Sequence, residues 1–264
     1  EDNLVAITPA MSEGSGMNDF AETNPDKFYD VAIAEQHSMT FAAGLAKEGK
    51  KPVLAIYSTF LQRAYDQLIH DVALQKLDVT LAIDRAGFVG GDGATHAGIF
   101  DVSFLRCIPN MIIMSPSDEN ECWKMLSTGY NYPGPAAIRY PRGEGPGAEI
   151  SESFSSLEIG KARFINEVVS EFVIFSFGNM LSLSMEIADT LNCSLVDMRF
   201  IKPLDEELIE KCAKAYKHII SIEENVVTGG AGSAVNEFLS KIGYSEKLKI
   251  FGIPDEFPIV GSQE

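Results

Sequence analysis

The chain has 264 residues, with 21 lysines and arginines against 38 aspartates and glutamates, so its formal net charge is −17. This acidity excludes binding to a nucleic-acid backbone, which needs clustered lysine and arginine. The length is sufficient for two domains with their own cores. No apolar stretch approaches the ~18 residues of a membrane helix. The sequence therefore predicts no membrane partner and a cytoplasmic location, and its four widely spaced cysteines predict reduced thiols.

Short apolar runs alternate with helical patterns in the first half of the chain. The runs predict strands at Leu4–Ile7, Phe28–Ala32, Val53–Tyr57, Val79–Ile83, Met111–Met114 and Ala136–Tyr140. A helical repeat of apolar residues predicts a helix over Thr59–Lys76. A capping residue ahead of early acids begins another helix at Ser117. This alternation is typical of a mostly parallel sheet with helices on both faces.

The character of the sequence changes after Arg142. Residues 146–159 form a polar stretch without periodicity, which predicts a linker between a domain at 1–145 and a domain at 160–264. The second domain has predicted strands at Phe172–Phe177, Ser194–Met198 and His218–Ile222, and predicted helices at Ser182–Leu191, Asp205–Tyr216 and Gly232–Ile242. The predicted fold class is α/β, with two doubly wound, mostly parallel-sheet domains.

Candidate site residues follow the predicted strands, because ligands bind at the carboxyl ends of parallel strands. Glu35 stands at a helix start, where a carboxylate is either a proton-handling group or an ordinary first-turn acid. Tyr57 and Phe60 follow the third strand and are either a wall for an aromatic ligand or core residues.

A glycine-rich loop follows the fourth strand and contains Arg85, Asp92 and His96. Glycine is costly in regular structure, so this density of glycines indicates a backbone held close to a ligand. Arg85 and Arg142 lie at two strand exits in a chain that is poor in cations. Such a pair suits an anionic substrate group such as a phosphate.

Several segments together resemble one family. They are DVAIAEQH (30–37), YSTFLQRAYDQ (57–67), DRAG (84–87) with the loop to His96, RYPRG (139–143), VDMRFIKPLD (196–205) and EEN (223–225). These segments resemble the 1-deoxy-D-xylulose-5-phosphate synthases, which are transketolase-like thiamine diphosphate enzymes. The resemblance implies a pyrimidine-binding domain followed by a transketolase C-terminal-like domain that lacks its last helices. It also implies that the N-terminal domain of the family, which carries the magnesium–diphosphate motif, is absent.

The activity implied by the resemblance is the condensation of pyruvate, with decarboxylation, and glyceraldehyde 3-phosphate to 1-deoxy-D-xylulose 5-phosphate. This reaction opens non-mevalonate isoprenoid biosynthesis. The implied cofactors are thiamine diphosphate and Mg²⁺, with the metal ligands in the absent domain, and the implied assembly is a homodimer. The chain alone is therefore expected to be inactive. The alternatives are the C-terminal half of a transketolase, an E1 β-subunit, and a non-catalytic assembly module.

The resemblance also implies roles for residues around the cofactor. Glu35 would be catalytic, binding N1′ of the aminopyrimidine and favouring its imino tautomer. Ile33 would hold the cofactor in a bent form, and Phe60 would stack on the pyrimidine. Arg63 is a looser candidate near the same pocket.

The implied substrate-binding residues lie at the strand exits and in the glycine-rich loop. Tyr57, Arg85 and Arg142 would bind the phosphate of glyceraldehyde 3-phosphate. Asp92 and His96 would face the acceptor or pyruvate, with His96 also a catalytic candidate.

No metal ligand is predicted in this chain. Gly91-Asp92-Gly93 followed by Asn120 has the spacing of the magnesium–diphosphate motif. The predicted strand ends eight residues before it, and Asn120 lies within a predicted helix. The match is therefore interpreted as coincidental.

Overall fold

The computed structural model describes residues 2–258 and 261. The strands are β1 (Leu4–Thr8), β2 (Phe28–Asp30), β3 (Lys51–Tyr57), β4 (Thr80–Asp84), β5 (Ile112–Met114), β6 (Ala136–Arg139), β7 (Arg163–Asn166), β8 (Phe172–Ser176), β9 (Ser194–Asp197), β10 (Phe200–Lys202), β11 (His218–Val226) and β12 (Leu248–Ile253). The α-helices are α1 (Asn18–Thr23), α2 (Glu35–Lys47), α3 (Ser58–Leu61), α4 (Tyr65–Gln67), α5 (Asp101–Leu105), α6 (Glu119–Asn131), α7 (Met180–Leu191), α8 (Glu206–Ala215) and α9 (Ala231–Ile242). Short 3₁₀-helices lie at Pro25–Lys27, Gln62–Ala64, Gly90–Asp92 and Ser245–Lys247, and a π-helix lies at Leu68–Ala73. Within this described part of the chain, no helix is both long and apolar enough to cross a membrane.

Two sheets organise the molecule. The first has seven strands in the order β10-β5-β6-β4-β3-β1-β2, and only β10 is antiparallel to its neighbour. The second has five strands in the order β12-β11-β8-β9-β7, and only β7 is antiparallel. The predicted class, two mostly parallel α/β sheets, is confirmed.

Strand β10 crosses from the second half of the sequence into the first sheet. Phe200 pairs with Met114 of β5 and is fully buried among Ile112, Met114 and Ile138. The sequence did not predict this strand, because three residues are too short to display a two-residue period. The short strand β7 and the edge strand β12 were also missed.

The bounds of several elements differ from the predicted ones for local reasons. Strand β2 ends at Asp30, two residues early, because Ala32 has a φ of +59°, outside the extended region. The single helix expected over Thr59–Lys76 is a succession of short α, 3₁₀ and π turns from Ser58 to Ala73. Its apolar face is nevertheless buried, as the helical repeat of apolar residues predicts, and Leu61 and Leu68 are fully buried.

Buried ion pairs join the two halves of the chain. Glu121 of α6 is completely buried and lies 2.8 Å from Arg199 Nε and 3.2 Å from Arg163 Nη1. Arg163 also contacts the buried carboxylate of Asp197 at 3.0 Å, and Ser117 Oγ donates a hydrogen bond to the same carboxylate. Two arginines from the second half thus neutralise carboxylates at the contact between the sheets.

Candidate functional site

Most of the predicted site residues lie at one edge of the first sheet, where the carboxyl ends of its parallel strands meet. Strands β2, β3, β4 and β6 all run in the same direction. The loops that follow these strands therefore converge, and they bring side chains from separate parts of the sequence together.

Glu35 is the first residue of α2, and its carboxylate is buried, with only 3% of the residue exposed. Arg63 donates a hydrogen bond from Nη1 to Glu35 Oε1. The same guanidinium lies over the ring of Phe60, with its Cζ 5.1 Å from the ring centroid. The side chain of Arg63 is 53% exposed, so the buried carboxylate is paired with a group that can move toward solvent.

An aromatic stack connects this carboxylate to the second part of the site. The rings of Tyr57 and Phe60 are parallel, with centroids 5.5 Å apart, and His96 meets Phe60 edge-on at 5.5 Å. Arg85 covers the other ring, with its Cζ 3.9 Å from the Tyr57 centroid. Burial raises the pKa of Tyr57, although Arg85 opposes the shift. Two cations and two rings therefore form a continuous surface.

The second part of the site is a compact group of two arginines and two aspartates. Arg85 has a φ of +55°, and this left-handed backbone turns its side chain back so that Nη1 donates to Asp84 Oδ2 at 2.6 Å. Asp92 Oδ2 lies 3.0 Å from Arg142 Nε and 3.8 Å from Arg85 Nε. Burial raises the pKa of Asp84, although Arg85 lowers it. With both aspartates ionised, the formal charge of the group is zero.

The glycine-rich loop is closed at its base by a pair of backbone hydrogen bonds. Gly87 N donates to Gly98 O at 2.7 Å, and Gly98 N donates to Gly87 O at 2.9 Å. A Cβ at Gly98 would lie 2.1 Å from the carbonyl oxygen of Arg85, so only glycine fits there. At the far side, Thr59 Oγ1 donates to the Thr95 carbonyl, which fixes the loop beside the aromatic stack.

Eight of the nine predicted site residues are connected through these contacts. They are Glu35, Tyr57, Phe60, Arg63, Arg85, Asp92, His96 and Arg142. The ninth, Ile33, lies on the turn before α2 with 77% of its surface exposed.

Three contributors were missed by the sequence reasoning. Asp84 fixes Arg85 through both its backbone and its guanidinium, and the Gly14 carbonyl accepts a third bond from Arg85 at 3.0 Å. Glu224 reaches the loop from the second sheet. Asp84 could have been found from its place at the end of a buried strand next to a candidate cation. The contacts of Gly14 and Glu224 depend on the tertiary fold.

The segment that has the spacing of the magnesium–diphosphate motif is engaged in other contacts. Gly90–Asp92 is a 3₁₀ turn whose aspartate pairs with the arginines. Asn120 lies in α6, where its Oδ1 accepts a hydrogen bond from Ser151 N at 3.0 Å. Across residues 2–258 and 261, no three His, Cys, Asp or Glu side chains are grouped as metal ligands.

Fold and sequence together define the class of protein. The sequence profile described as "Transketolase, pyrimidine binding domain" matches residues 1–148, and that described as "Transketolase, C-terminal domain" matches residues 160–264. The chain belongs to the transketolase family. A solved structure titled "Split gene transketolase, inactive beta4 tetramer" superposes with a TM-score of 0.87 at 30% identity, covering 97% of this chain and 85% of that one.

Curated relatives that are more similar to this chain than the split-gene transketolase share a name more specific than the family's. A 1-deoxy-D-xylulose-5-phosphate synthase from Cellvibrio japonicus (strain Ueda107) is 57% identical over the whole chain, which spans 41% of that protein. The synthase of the same name from Hamiltonella defensa subsp. Acyrthosiphon pisum (strain 5AT) is 60% identical over 98% of the chain, which spans 42% of it. The chain thus spans about two fifths of the length of these relatives.

Proposed function

We propose that this chain supplies the pyrimidine-binding and acceptor-binding parts of a thiamine diphosphate-dependent transferase that makes 1-deoxy-D-xylulose 5-phosphate from pyruvate and glyceraldehyde 3-phosphate. The observation that carries the proposal is the continuous surface from Glu35 through Phe60 and Tyr57 to Arg85. It joins a buried carboxylate to an arginine pair. The choice of substrates rests on the names of relatives at 57% and 60% identity.

The residues present fit the pyrimidine end of the cofactor. The Arg63 guanidinium is a planar N–H donor, and it contacts both the Glu35 carboxylate and a face of Phe60. A planar heterocycle that offers N–H and a ring face could make the same two contacts once Arg63 moves outward. The exposed apolar side chain of Ile33, on the turn before Glu35, is proposed to support the bent cofactor.

Thiamine diphosphate, when bound, supplies the carbon nucleophile needed for decarboxylation of a 2-oxo acid and transfer of its two-carbon unit. Glu35 would hold a proton between its carboxyl and N1′ of the pyrimidine, which requires a group that exchanges protons reversibly. Burial keeps water away from this carboxyl. Mg²⁺ is part of the proposal through the resemblance, and no residue of this chain is assigned to it.

The arginine pair is proposed to hold the phosphate of the acceptor. Arg85 and Arg142 are brought to one place by Asp92, and the ring of Tyr57 packs against the Arg85 guanidinium. A phosphate would replace Asp92 as the anionic partner of the guanidinium groups. His96 and the displaced Asp92 would then face the reacting end of the substrates. We further propose a homodimer in the cytoplasm.

A second candidate is one half of a split transketolase, which acts on sugar phosphates without pyruvate. The favouring observation is that the chain covers 85% of the split-gene transketolase chain at a TM-score of 0.87.

The test is an assay of the purified chain with thiamine diphosphate, Mg²⁺, pyruvate and glyceraldehyde 3-phosphate, alone and with the part of the Hamiltonella defensa relative that it does not match. We expect no product from the chain alone and pyruvate-dependent 1-deoxy-D-xylulose 5-phosphate, detected by mass spectrometry, from the mixture. Glu35→Gln should abolish it, whereas Glu48→Gln, at the exposed end of the same helix, should not. Product from sugar phosphates without pyruvate would support the second candidate.

A further inference from the structure

A carboxylate from the second sheet is bound to the glycine-rich loop of the first. Glu224 lies near the end of β11 and is 6% exposed. Its Oε1 accepts a hydrogen bond from Phe88 N at 2.9 Å, and its Oε2 accepts one from Asn179 Nδ2, just before α7. Both carboxylate oxygens therefore accept hydrogen bonds, one from the loop and one from a residue of the second domain.

Glu224 contacts the base of the glycine-rich loop. A Cβ at Gly87 would lie 2.3 Å from the Glu224 Cδ, so the carboxylate is packed directly on that glycine. Arg139 is 4% exposed and pairs with Asp101 at 2.7 Å. It donates from Nη2 to the carbonyl oxygens of Gly98 and Glu224. Both sides of the base are thus fixed against the end of β11.

We propose that Glu224 is a positioning residue that sets the loop carrying Arg85, Asp92 and His96 and so determines the affinity of the site for its phosphorylated acceptor. It acts through the loop, because its two carboxylate oxygens bind Phe88 N and Asn179. The second sheet contributes to the site through this side chain. The proposal deepens the proposed function and rests on it for the identity of the ligand.

The neighbouring residue provides a matched control. Glu223 is as deeply buried as Glu224, at 4% exposed, and both of its oxygens accept backbone hydrogen bonds at 2.7 Å from Ala231 and Gly232 at the start of α9. Glu223→Gln and Glu224→Gln therefore make the same substitution at adjacent buried positions. Only the second weakens a bond to the loop.

The first measurement is hydrogen–deuterium exchange of the whole 264-residue chain. We expect Glu224→Ala to raise the exchange rate of the amides of residues 86–98 at least tenfold. Glu224→Gln should raise it less, because glutamine retains one hydrogen-bond acceptor. Asn179→Ala should have a smaller effect in the same direction. Glu223→Gln should leave these amides unchanged while loosening the first turn of α9. Equal loop exchange in the Glu223 and Glu224 variants would overturn the proposal.

The second measurement is calorimetric binding of glyceraldehyde 3-phosphate to the same variants at fixed low salt. We expect Glu224→Ala to weaken binding by about tenfold, because one hydrogen bond that orders the loop is lost. The affinity of Glu223→Gln should be close to that of the wild type. If the wild-type chain binds but Glu224→Ala binds equally well, positioning is refuted and the proposed function stands. If the wild-type chain binds no phosphorylated ligand, the acceptor assignment in the proposed function fails. The exchange result then still decides whether Glu224 sets the loop.

Discussion

The guanidinium of Arg63 is paired with the buried carboxylate of Glu35, although 28 residues separate them in sequence. A buried carboxylate loses its hydration, and the Arg63 guanidinium compensates this loss, so the pair stabilises the fold. The pair also couples the proposed catalytic acid to a side chain that is half exposed. Any ligand that binds Glu35 must compete with this contact.

The first prediction follows from that pairing. Arg63→Met keeps much of the apolar stem but leaves Glu35 without its cation, and we expect it to lower the free energy of unfolding by about 1–3 kcal/mol. In the double variant Glu35→Gln/Arg63→Met, the second substitution should cost much less, because no buried charge remains. Urea denaturation of the four proteins measures this coupling. Strictly additive effects would contradict it.

The second prediction concerns the anion site. Asp92→Asn removes the charge that lies 3.0 Å from Arg142 and 3.8 Å from Arg85. We expect the affinity for inorganic phosphate to rise about two- to fivefold at low salt, as for an exposed ion pair worth ~0.4–1 kcal/mol, and the gain to shrink with added salt. Calorimetric titration with phosphate measures it. Glu144→Gln, which makes the same change in net charge just beyond Arg142, is the control and should leave the affinity within error.

The fold was largely predictable because its parallel strands are continuous buried runs. Val53–Tyr57 and Ala136–Tyr140 were predicted within two residues of β3 and β6, since a strand covered on both faces has no polar positions to blur the pattern. Strand β10 was not predictable: its three residues are defined by pairing with β5 across the two halves of the chain. Nothing local in the sequence encodes such a partner.

The proximity of the candidate site residues was predictable, but their pairing with one another was not. Strand exits pointed to Glu35, Arg85 and Arg142, because topology brings the ends of parallel strands together. No local pattern indicates that Asp92 bridges the two arginines, or that Glu224 contacts the loop. Those contacts depend on loop conformation and on how the second sheet packs against the first.

The third prediction tests the ion pairs between the two halves. Glu121→Gln should lower the free energy of unfolding by about 1–3 kcal/mol, because Arg199 would lose its buried anionic partner, whereas Arg163 would keep Asp197. Equilibrium denaturation provides the value. Glu186→Gln, at an exposed position on α7, should change stability by less than about 0.5 kcal/mol. A Glu121 variant as stable as this control would mean that the arginines are satisfied without it.

The fourth prediction is a pH dependence that originates at Glu223. Burial raises the pKa of this carboxyl to about 7, although the amides of Gly232 and Ala231 at the start of α9 lower it in part. The folded state therefore holds a proton between about pH 4.5 and 7 that the unfolded state releases. Stability must fall as pH rises through this window, by at most about 3 kcal/mol, and level off above it.

Glu223→Gln isolates this contribution, because glutamine does not titrate. The variant should be less stable than the wild type at pH 5, where it loses one acceptor for the α9 amides. Its stability should then decline less between pH 5 and pH 8, so that the difference from the wild type narrows. Denaturation midpoints of both proteins at several pH values between 5 and 8 provide the comparison. Parallel curves for the two proteins would show that Glu223 is ionised throughout and that the slope comes from other buried carboxyls such as Glu224 and Asp197, whose pKa values burial also raises.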